Sequence, residues 1–565
     1  MTIAALFMRT VGVSFNVYLT NQLGAAGIGL FQLVMTVFSM AITFASSGIR
    51  LAATRLVVDA ISKDRADVKK VLRRCLLSIL LVAVVVALIL YTGSDLISQH
   101  WLYDSRTAQP LRLLSLSLPF IAMSAALSGY FTAIRRAGVY AGVQVLEQLV
   151  RVASTAGLSA YAFRPRLGRP PVSLIVLGSC VSDLISFLAS FFLSKWMVRR
   201  QRNQHRVMLH LNRRLLRIAV PDAVGAWVRS ILLTIEHLLI PIGFKKSGIS
   251  SENALATYGT IHAMTLPVLL FPSCILNSLA SLLVPEIAEY HALHQAKRID
   301  GIINRVLYAA LLFSLLVAGV FYAYAGELSN AVYHSSDTKP FLQLLAVLVP
   351  VMYLDMAVDG MLKGLDQQLS SMRYNIIDSG LCVILVYFLI PRYSVKGYII
   401  TLFVSEILNF YLSLRRLIRV STLRLNWRRI LNPILCMTCA VTGVRLVATL
   451  LPAPLLHSVP WLVGAILATS CAYLLALRCS GGITQQDLHW FAGIFRSERK
   501  LLCPYLLKTP VVSNLTTPVV YFPIAKDGLV ILSFSDCAGP GRSVLFLLKS
   551  FEMYDFPARS RMRSD

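Results

Sequence analysis

The chain has 565 residues, of which 56% are hydrophobic and only 14% charged, and its mean hydropathy is +0.67. A soluble domain carries about 25% charged residues, so an ordinary water-soluble fold is excluded. The net charge of +27 would suit a nucleic-acid binder, but the Lys and Arg residues sit in short loops between apolar runs, without a compact basic domain bearing base-stacking aromatics, and no nucleic acid is expected.

Taken in order, the apolar runs and their breakers predict fourteen membrane spans, since about 20 apolar residues cross a bilayer core. They fall at 3–23, 29–50, 75–98, 110–134, 138–161, 172–195, 218–243, 257–283, 303–325, 341–362, 372–391, 396–414, 430–451 and 458–478. The first run is followed by further spans and is expected to be a retained helix rather than a cleaved leader. Gly24, Gly27 and Gly29 read as a tight connection between the first two spans. The ten cysteines are scattered, most of them inside apolar runs, where thiols behave as small hydrophobes. Cys436 and Cys439 form a CxxC inside a span with no second ligand pair, so lipid packing is favoured over metal or redox work.

Loop charge sets the orientation. Basic residues crowd alternate loops: Arg55, Lys63, Arg65, Lys69, Lys70, Arg73 and Arg74 follow span two, and Arg199, Arg200, Arg202, Arg206, Arg213, Arg214 and Arg217 follow span six. Arg415, Arg416, Arg419, Arg424, Arg428 and Arg429 follow span twelve. The opposite loops are poorer, holding Arg106, then Lys245 and Lys246, then Lys339, then Arg392 and Lys396; the loop with Arg164, Arg166 and Arg169 is the exception. Both termini are therefore expected to be cytoplasmic. The expected fold is an all-α polytopic membrane protein with two six-helix lobes and two extra helices. The N-lobe covers 1–196, a basic cytoplasmic linker 197–217, the C-lobe 218–418, spans 13 and 14 lie within 419–480, and a poorly ordered cytoplasmic tail covers 481–565. Asn514-Leu515-Thr516 in that tail matches a glycosylation sequon by chance, as a cytoplasmic segment is not glycosylated.

The two lobes rest on an internal repeat. Pro119, Gly129 and Glu147 recur 231 residues later as Pro350, Gly360 and Asp378, and Arg74 recurs as Arg305. Six-span units related in this way are typical of transporters.

A charge inside a span costs about 2.5–3.5 kcal/mol at the helix centre on insertion scales, and so marks a pathway, a pair or a structural bond. Glu147 and Arg151 lie four apart and share a helix face, either as an ion pair or as the edge of a polar cavity. Asp378 holds the Glu147 position in the second repeat, but Cys382 stands where Arg151 would be, so Asp378 needs another partner. Arg229 and Glu236, beside His237, share a face of span seven, and Arg9 lies on the corresponding first helix. Arg50 is near the end of span two and within snorkelling reach. Asp355 and Asp359 could share a cation or a proton, or Asp359 could pair with Lys363. Asp183, Glu406 and Asn409 are further candidates, and Arg445 reads as structural. Arg9, Arg50, Arg151 and Arg229 are the candidate cavity cations, since guanidinium forks suit phosphate oxygens; Glu147, Glu236, Asp355, Asp359 and Asp378 are the candidate charge partners or coupling acids. A cation exporter would use the acids instead. No P-loop, HExxH or Ser/His/Asp motif stands out, and neither enzymatic activity, nor a cofactor, nor a metal is expected.

The segment Asn21-Gln22-Leu23-Gly24-Ala25-Ala26-Gly27-Ile28-Gly29-Leu30-Phe31-Gln32-Leu33 resembles the LGxxGxGLYQL signature of the stage V sporulation protein B family. Ser46-Ser47-Gly48-Ile49, followed by Ala52, Arg55 and Leu56, resembles that family's SxGIPxAIxRLV stretch, with Arg50 in place of its proline. Arg9-Thr10-Val11-Gly12 is similar to the RxxG pattern of the first helix in this family and in lipid II flippases, and Glu236 falls where the family usually has an acid. The likeness covers roughly residues 1–480 and not the tail. It implies a flippase of the multidrug/oligosaccharidyl-lipid/polysaccharide (MOP) exporter superfamily in the bacterial cytoplasmic membrane, V-shaped, working by alternating access and driven by ion gradients or membrane potential. It implies a lipid-linked oligosaccharide or undecaprenyl-pyrophosphate substrate, membrane lipids as partners, a monomer, and a link to spore cortex peptidoglycan. The alternative is a cation- or proton-coupled multidrug exporter of the same superfamily.

Overall fold

The computed structural model describes residues 2–62, 67–162, 172–199, 211–421, 427–448, 459–482, 519–524 and 528–533. Residues 1–482 form one unit and 483–565 another. In the first unit the N-terminal half contains α1 (Thr2–Ser46), α2 (Ile49–Ser62), α3 (Val68–His100), α4 (Ala108–Ala133), α5 (Ala137–Ala162) and α6 (Val172–Arg199). The C-terminal half contains α7 (Leu211–Lys246), α8 (Ser251–Gly259), a π-helical turn at Thr260–Thr265, α9 (Leu266–Leu270), α10 (Ser273–Ala292), α11 (Ala296–Ala323) and α12 (Ala325–Tyr333). It continues through α13 (Lys339–Ala346), α14 (Val349–Gly364) and α15 (Gln368–Val420), and two further helices follow, α16 (Trp427–Ala448) and α17 (Val459–Cys479). In the second unit β1 (Val519–Ile524) pairs antiparallel with β2 (Gly528–Ser533). The rest of the tail, its sequon, most of the basic linker and the Arg164–Arg169 loop lie outside the described residues.

Nine helices among the described residues are long and apolar enough to cross a membrane, or up to eleven if each bent pair is one span. The expected fourteen differ for physical reasons. Helices α1 and α15 contain 45 and 53 residues, which at 1.5 Å per residue is about 70–80 Å, over twice a bilayer core. Each is broken once, α1 at Gly24 (φ 73, ψ 173) and α15 at Ser394 (φ 54, ψ −131), three residues after Pro391. Both breaks fall where the sequence predicts a connection between two spans. Only Gly24 does so among the three glycines there, while Gly27 and Gly29 are helical. Helix α5, which carries Glu147, Gln148 and Arg151, is absent from the nine.

The outward faces are apolar. Leu81 of α3 is 68% exposed and Ile89 is 63% exposed, as expected of side chains that meet lipid rather than water. The N-lobe core is built from small and branched residues, with Ala52, Ala53, Leu56, Val57, Ala122, Ala126 and Leu127 fully buried. The repeat is visible in how these helices touch. A Cβ on Gly129 would lie 3.1 Å from the Ala53 Cβ of α2, and one on Gly360 would lie 2.9 Å from the Ala280 Cβ of α10. Each repeat uses its glycine for the same close helix crossing. At the turn between α3 and α4, burial would raise the Asp104 carboxyl, but hydrogen bonds from Arg106 and its charge hold it below the usual range.

Helices α16 and α17 dock on α11 and α12. Arg445 pairs with Glu327 at 2.8 Å and lies over the Tyr324 ring, 4.7 Å from its centroid. The Tyr324 hydroxyl meets Thr469 Oγ1 at 2.8 Å, and Tyr308 donates to the Gly482 carbonyl at 2.6 Å. The structural reading of Arg445 therefore has a named partner.

Candidate functional site: buried charge and the seam between lobes

In the N-lobe, a spacing of four residues, about one helical turn, brings Glu147 and Arg151 to one face of α5, against α6. Arg151 Nη2 donates to Glu147 Oε1 at 2.7 Å and to Asp183 Oδ1 at 3.3 Å, and Arg151 Nε donates to Ser182 Oγ at 3.3 Å. Ser186 donates to the other Glu147 oxygen at 2.8 Å. The guanidinium is held by two carboxylates, an arrangement that compensates charge within the apolar layer.

The C-lobe repeats this frame without the arginine. Ser405 donates to Asp378 Oδ1 at 2.6 Å, and Cys382, in the slot of Arg151, donates to Ser405 at 3.0 Å. Asn409 donates to Asp355 Oδ2 at 3.0 Å. A second sequence repeat explains the likeness: Val181-Ser182-Asp183-Leu184-Ile185-Ser186-Phe187 corresponds to Val404-Ser405-Glu406-Ile407-Leu408-Asn409-Phe410. That alignment is legible in the sequence, although single intramembrane charges alone do not disclose it. It makes Glu406 the counterpart of Asp183. Glu236, which is buried, feels the charge of Asp378, and Glu406 feels Asp355, Asp378 and Glu236. Four acids thus share the interior of the C-lobe, with Arg229 the cation acting on Asp378. Asp359, one turn from Asp355 and acting on it, also pairs with Lys363 at 2.6 Å and accepts from Ser371. Beside Glu236, His237 bonds the Tyr258 hydroxyl at 2.8 Å, and Tyr398 bonds His262 at 2.6 Å.

Of the remaining candidate cations, Arg9 contacts the other half directly, whereas Arg50 and Arg229 are near the contact between the halves in sequence alone. Arg9 Nη2 donates to the Leu270 carbonyl of α9 at 3.4 Å, and two turns further along the same face of α1 Asn16 donates to the Ala263 carbonyl at 2.5 Å. Phe44 stacks on Trp227 of α7 with centroids 5.4 Å apart. Arg229 is two residues beyond that tryptophan, and Arg50 is two residues beyond Gly48, which packs directly on the Ala219 backbone. At the seam's other end Gly29 and Gly259 meet by backbone: a Cβ on Gly259 would lie 2.3 Å from the Ala25 oxygen and 2.8 Å from the Gly29 nitrogen. Arg9, Arg50 and Arg229 are all exposed. Among the described residues none of the three makes an ion pair within 4.0 Å, whereas Arg151 and Arg445 both do.

Two helical halves that meet through α1, α2, α7 and α8 define an all-helical membrane fold. It is shared with solved transporters at low identity: the inward closed conformation of the lipid II flippase MurJ superposes with a TM-score of 0.66 at 14% identity, over 84% of this chain and 97% of that one. An inward-facing multidrug resistance MATE transporter of the MOP superfamily gives a TM-score of 0.57 at 14% identity, over 74% of this chain and 99% of the other. Residues 1–291 match the polysaccharide biosynthesis protein family, and the chain belongs to that family. Among curated relatives, it is 23% identical over 397 residues to stage V sporulation protein B of Bacillus subtilis (strain 168), covering 69% of this chain and 76% of the relative. Sporulation protein YkvU of the same organism is 20% identical over 346 residues, covering 61% and 76%.

Proposed function

We propose that this protein moves a lipid-linked cell-wall polysaccharide or peptidoglycan precursor across the cytoplasmic membrane by alternating access, in the service of spore cortex synthesis. The observation that carries the reading is the set of three exposed guanidinium groups, Arg9, Arg50 and Arg229, none of which makes an ion pair within 4.0 Å among the described residues, with Arg9 reaching the other half. A charge left unpaired in an apolar segment calls for an opposite charge from elsewhere, and a pyrophosphate head group supplies one that guanidinium forks match. The relatives named for sporulation and the flippase fold support the same reading. Arg151 is already held by Glu147 and Asp183, so the reading rests on three cations rather than four. Glu236, Asp355, Asp378 and Glu406 are the groups through which a proton or cation gradient would act on the C-lobe.

The test is flipping of an undecaprenyl-pyrophosphate-linked precursor in proteoliposomes. Replacing Arg9 or Arg229 by Gln removes charge-assisted hydrogen bonds of about 1.5–3 kcal/mol each, so the rate falls roughly tenfold or more at equal protein content. Unchanged rates in both variants would refute the assignment. The concentration of acids in the C-lobe favours a second reading, a cation-coupled drug exporter. That reading instead has Asp355→Asn and Glu236→Gln abolish drug efflux, with precursor flipping absent from the wild type.

A further inference from the structure

Basic residues are scarce in the loops opposite the cytoplasmic ones, yet Lys246 and Arg392 come from two such loops and meet at one groove. Lys246 ends α7, and Arg392 follows Pro391 just before the break in α15. The groove between them has a volume of about 220 Å³, and its wall includes Tyr387, Phe388 and Pro391. Lys246 Nζ lies 5.8 Å from the centre of the Tyr387 ring. The floor is fixed by a close crossing, since a Cβ on Gly243 would come within 2.7 Å of Ile390 Cγ2. Both cations are exposed, as are Tyr387 and Phe388, and among the described residues neither cation has a carboxylate within ion-pair distance.

We propose that this groove is a binding site for an anionic phospholipid of the outer leaflet, with the phosphate between Lys246 and Arg392 and the upper acyl chain against Tyr387, Phe388 and Pro391. Three features converge on that occupant. The groove opens on a helix face that otherwise presents apolar side chains, so what enters it has a hydrocarbon part. Its rim carries two positive charges and no negative one, which complements an anionic rather than a zwitterionic head group. An aromatic pair at the level of the cations matches the interfacial belt of membrane proteins. Snorkelling, or capping of the α7 C-terminus, accounts for Lys246 taken alone; it does not account for Arg392 converging on the same cavity from another element.

The full-length protein in mild detergent is titrated with phosphatidylglycerol or phosphatidylcholine of identical acyl chains, and bound lipid is read by native mass spectrometry. Wild-type protein retains phosphatidylglycerol in preference to phosphatidylcholine. The pair Lys246→Gln with Arg392→Gln lowers that retention by roughly tenfold to thirtyfold. The charge-preserving exchange Lys246→Arg with Arg392→Lys keeps it, and so does removal of two charges elsewhere by Lys297→Gln with Arg298→Gln. Equal retention of the two lipids by the wild type overturns the proposal. So does unchanged retention in the glutamine pair, or an equal loss in the exchange or in the distant control.

Discussion

Replacing Arg151 by Met separates a structural arginine from a transport arginine. The substitution keeps most of the aliphatic volume and removes the guanidinium, with its 2.7 Å bond to Glu147 and its 3.3 Å contacts to Asp183 and Ser182. Two carboxylates are then left without a cation. The Asp183 side chain is 6% exposed and loses its only ion pair among the described residues, whereas Glu147 is 27% exposed and retains the Ser186 hydroxyl. Breaking a buried pair by removing one partner costs about 3–5 kcal/mol, and the partial exposure of Glu147 places the expected loss near the lower end, about 3 kcal/mol. The unfolding equilibrium constant then rises roughly a hundredfold. Unfolding in mixed micelles, followed by far-ultraviolet circular dichroism, reads this directly. Adding Glu147→Gln and Asp183→Asn to Arg151→Met removes the orphaned charges, and most of the lost stability returns. If Arg151→Met unfolds within about 0.5 kcal/mol of the wild type, or if the triple variant is no more stable than the single one, the ion-pair account fails.

Arg50→Gln, which breaks no ion pair, leaves thermal stability within about 0.5 kcal/mol while slowing precursor flipping in proteoliposomes. Tyr324→Phe removes the hydroxyl shared with Thr469 and costs about 1 kcal/mol, read as earlier proteolysis of the α16–α17 pair. Gly259→Ala places a methyl against the Ala25 carbonyl and forces the halves apart; maleimide labelling of Leu255→Cys, in a cysteine-free background, rises severalfold. Asp104 lies outside the membrane-spanning segments, and its lowered folded-state pKa means that its contribution is present above the unfolded value and is lost as pH falls through the folded one. Asp104→Asn therefore destabilises near neutral pH, by less than about 1 kcal/mol because Arg106 is exposed, and the difference from wild type closes in acid.

Much of this architecture was legible because membrane solvation simplifies the code. Long apolar runs predicted an all-helical membrane fold, although nine to eleven spans are found among the described residues where fourteen were expected. The positions of Gly129 and Gly360 acquire a reason in the structure, since each lets its helix approach an alanine. The four-residue spacing correctly paired Glu147 with Arg151 and Asp359 with Lys363. Spacing within one helix says nothing about the neighbouring helix, and for that reason Asp183, Ser182 and Ser405 were undervalued. Glu406 became significant only through its correspondence with Asp183 and its proximity to Asp355 and Asp378. The breaks at Gly24 and Ser394 show the converse limit: turn chemistry marks where a helix must change direction, but one left-handed residue suffices where a longer loop is the natural reading.

The meeting of Gly29 with Gly259 bears on how readily the two halves can part. A joint made of large apolar side chains holds by the surface it hides, and separating it would expose that surface. At Gly29 and Gly259 main-chain atoms touch, and their own hydrogen bonds run along their helices. The glycines let the two main chains touch, and the side chains buried beside them, Ile28, Leu255 and Tyr258, supply the surface that holds the joint closed. Parting the halves then means undoing that packing together with the Asn16 bond to the Ala263 carbonyl and the Phe44–Trp227 stack.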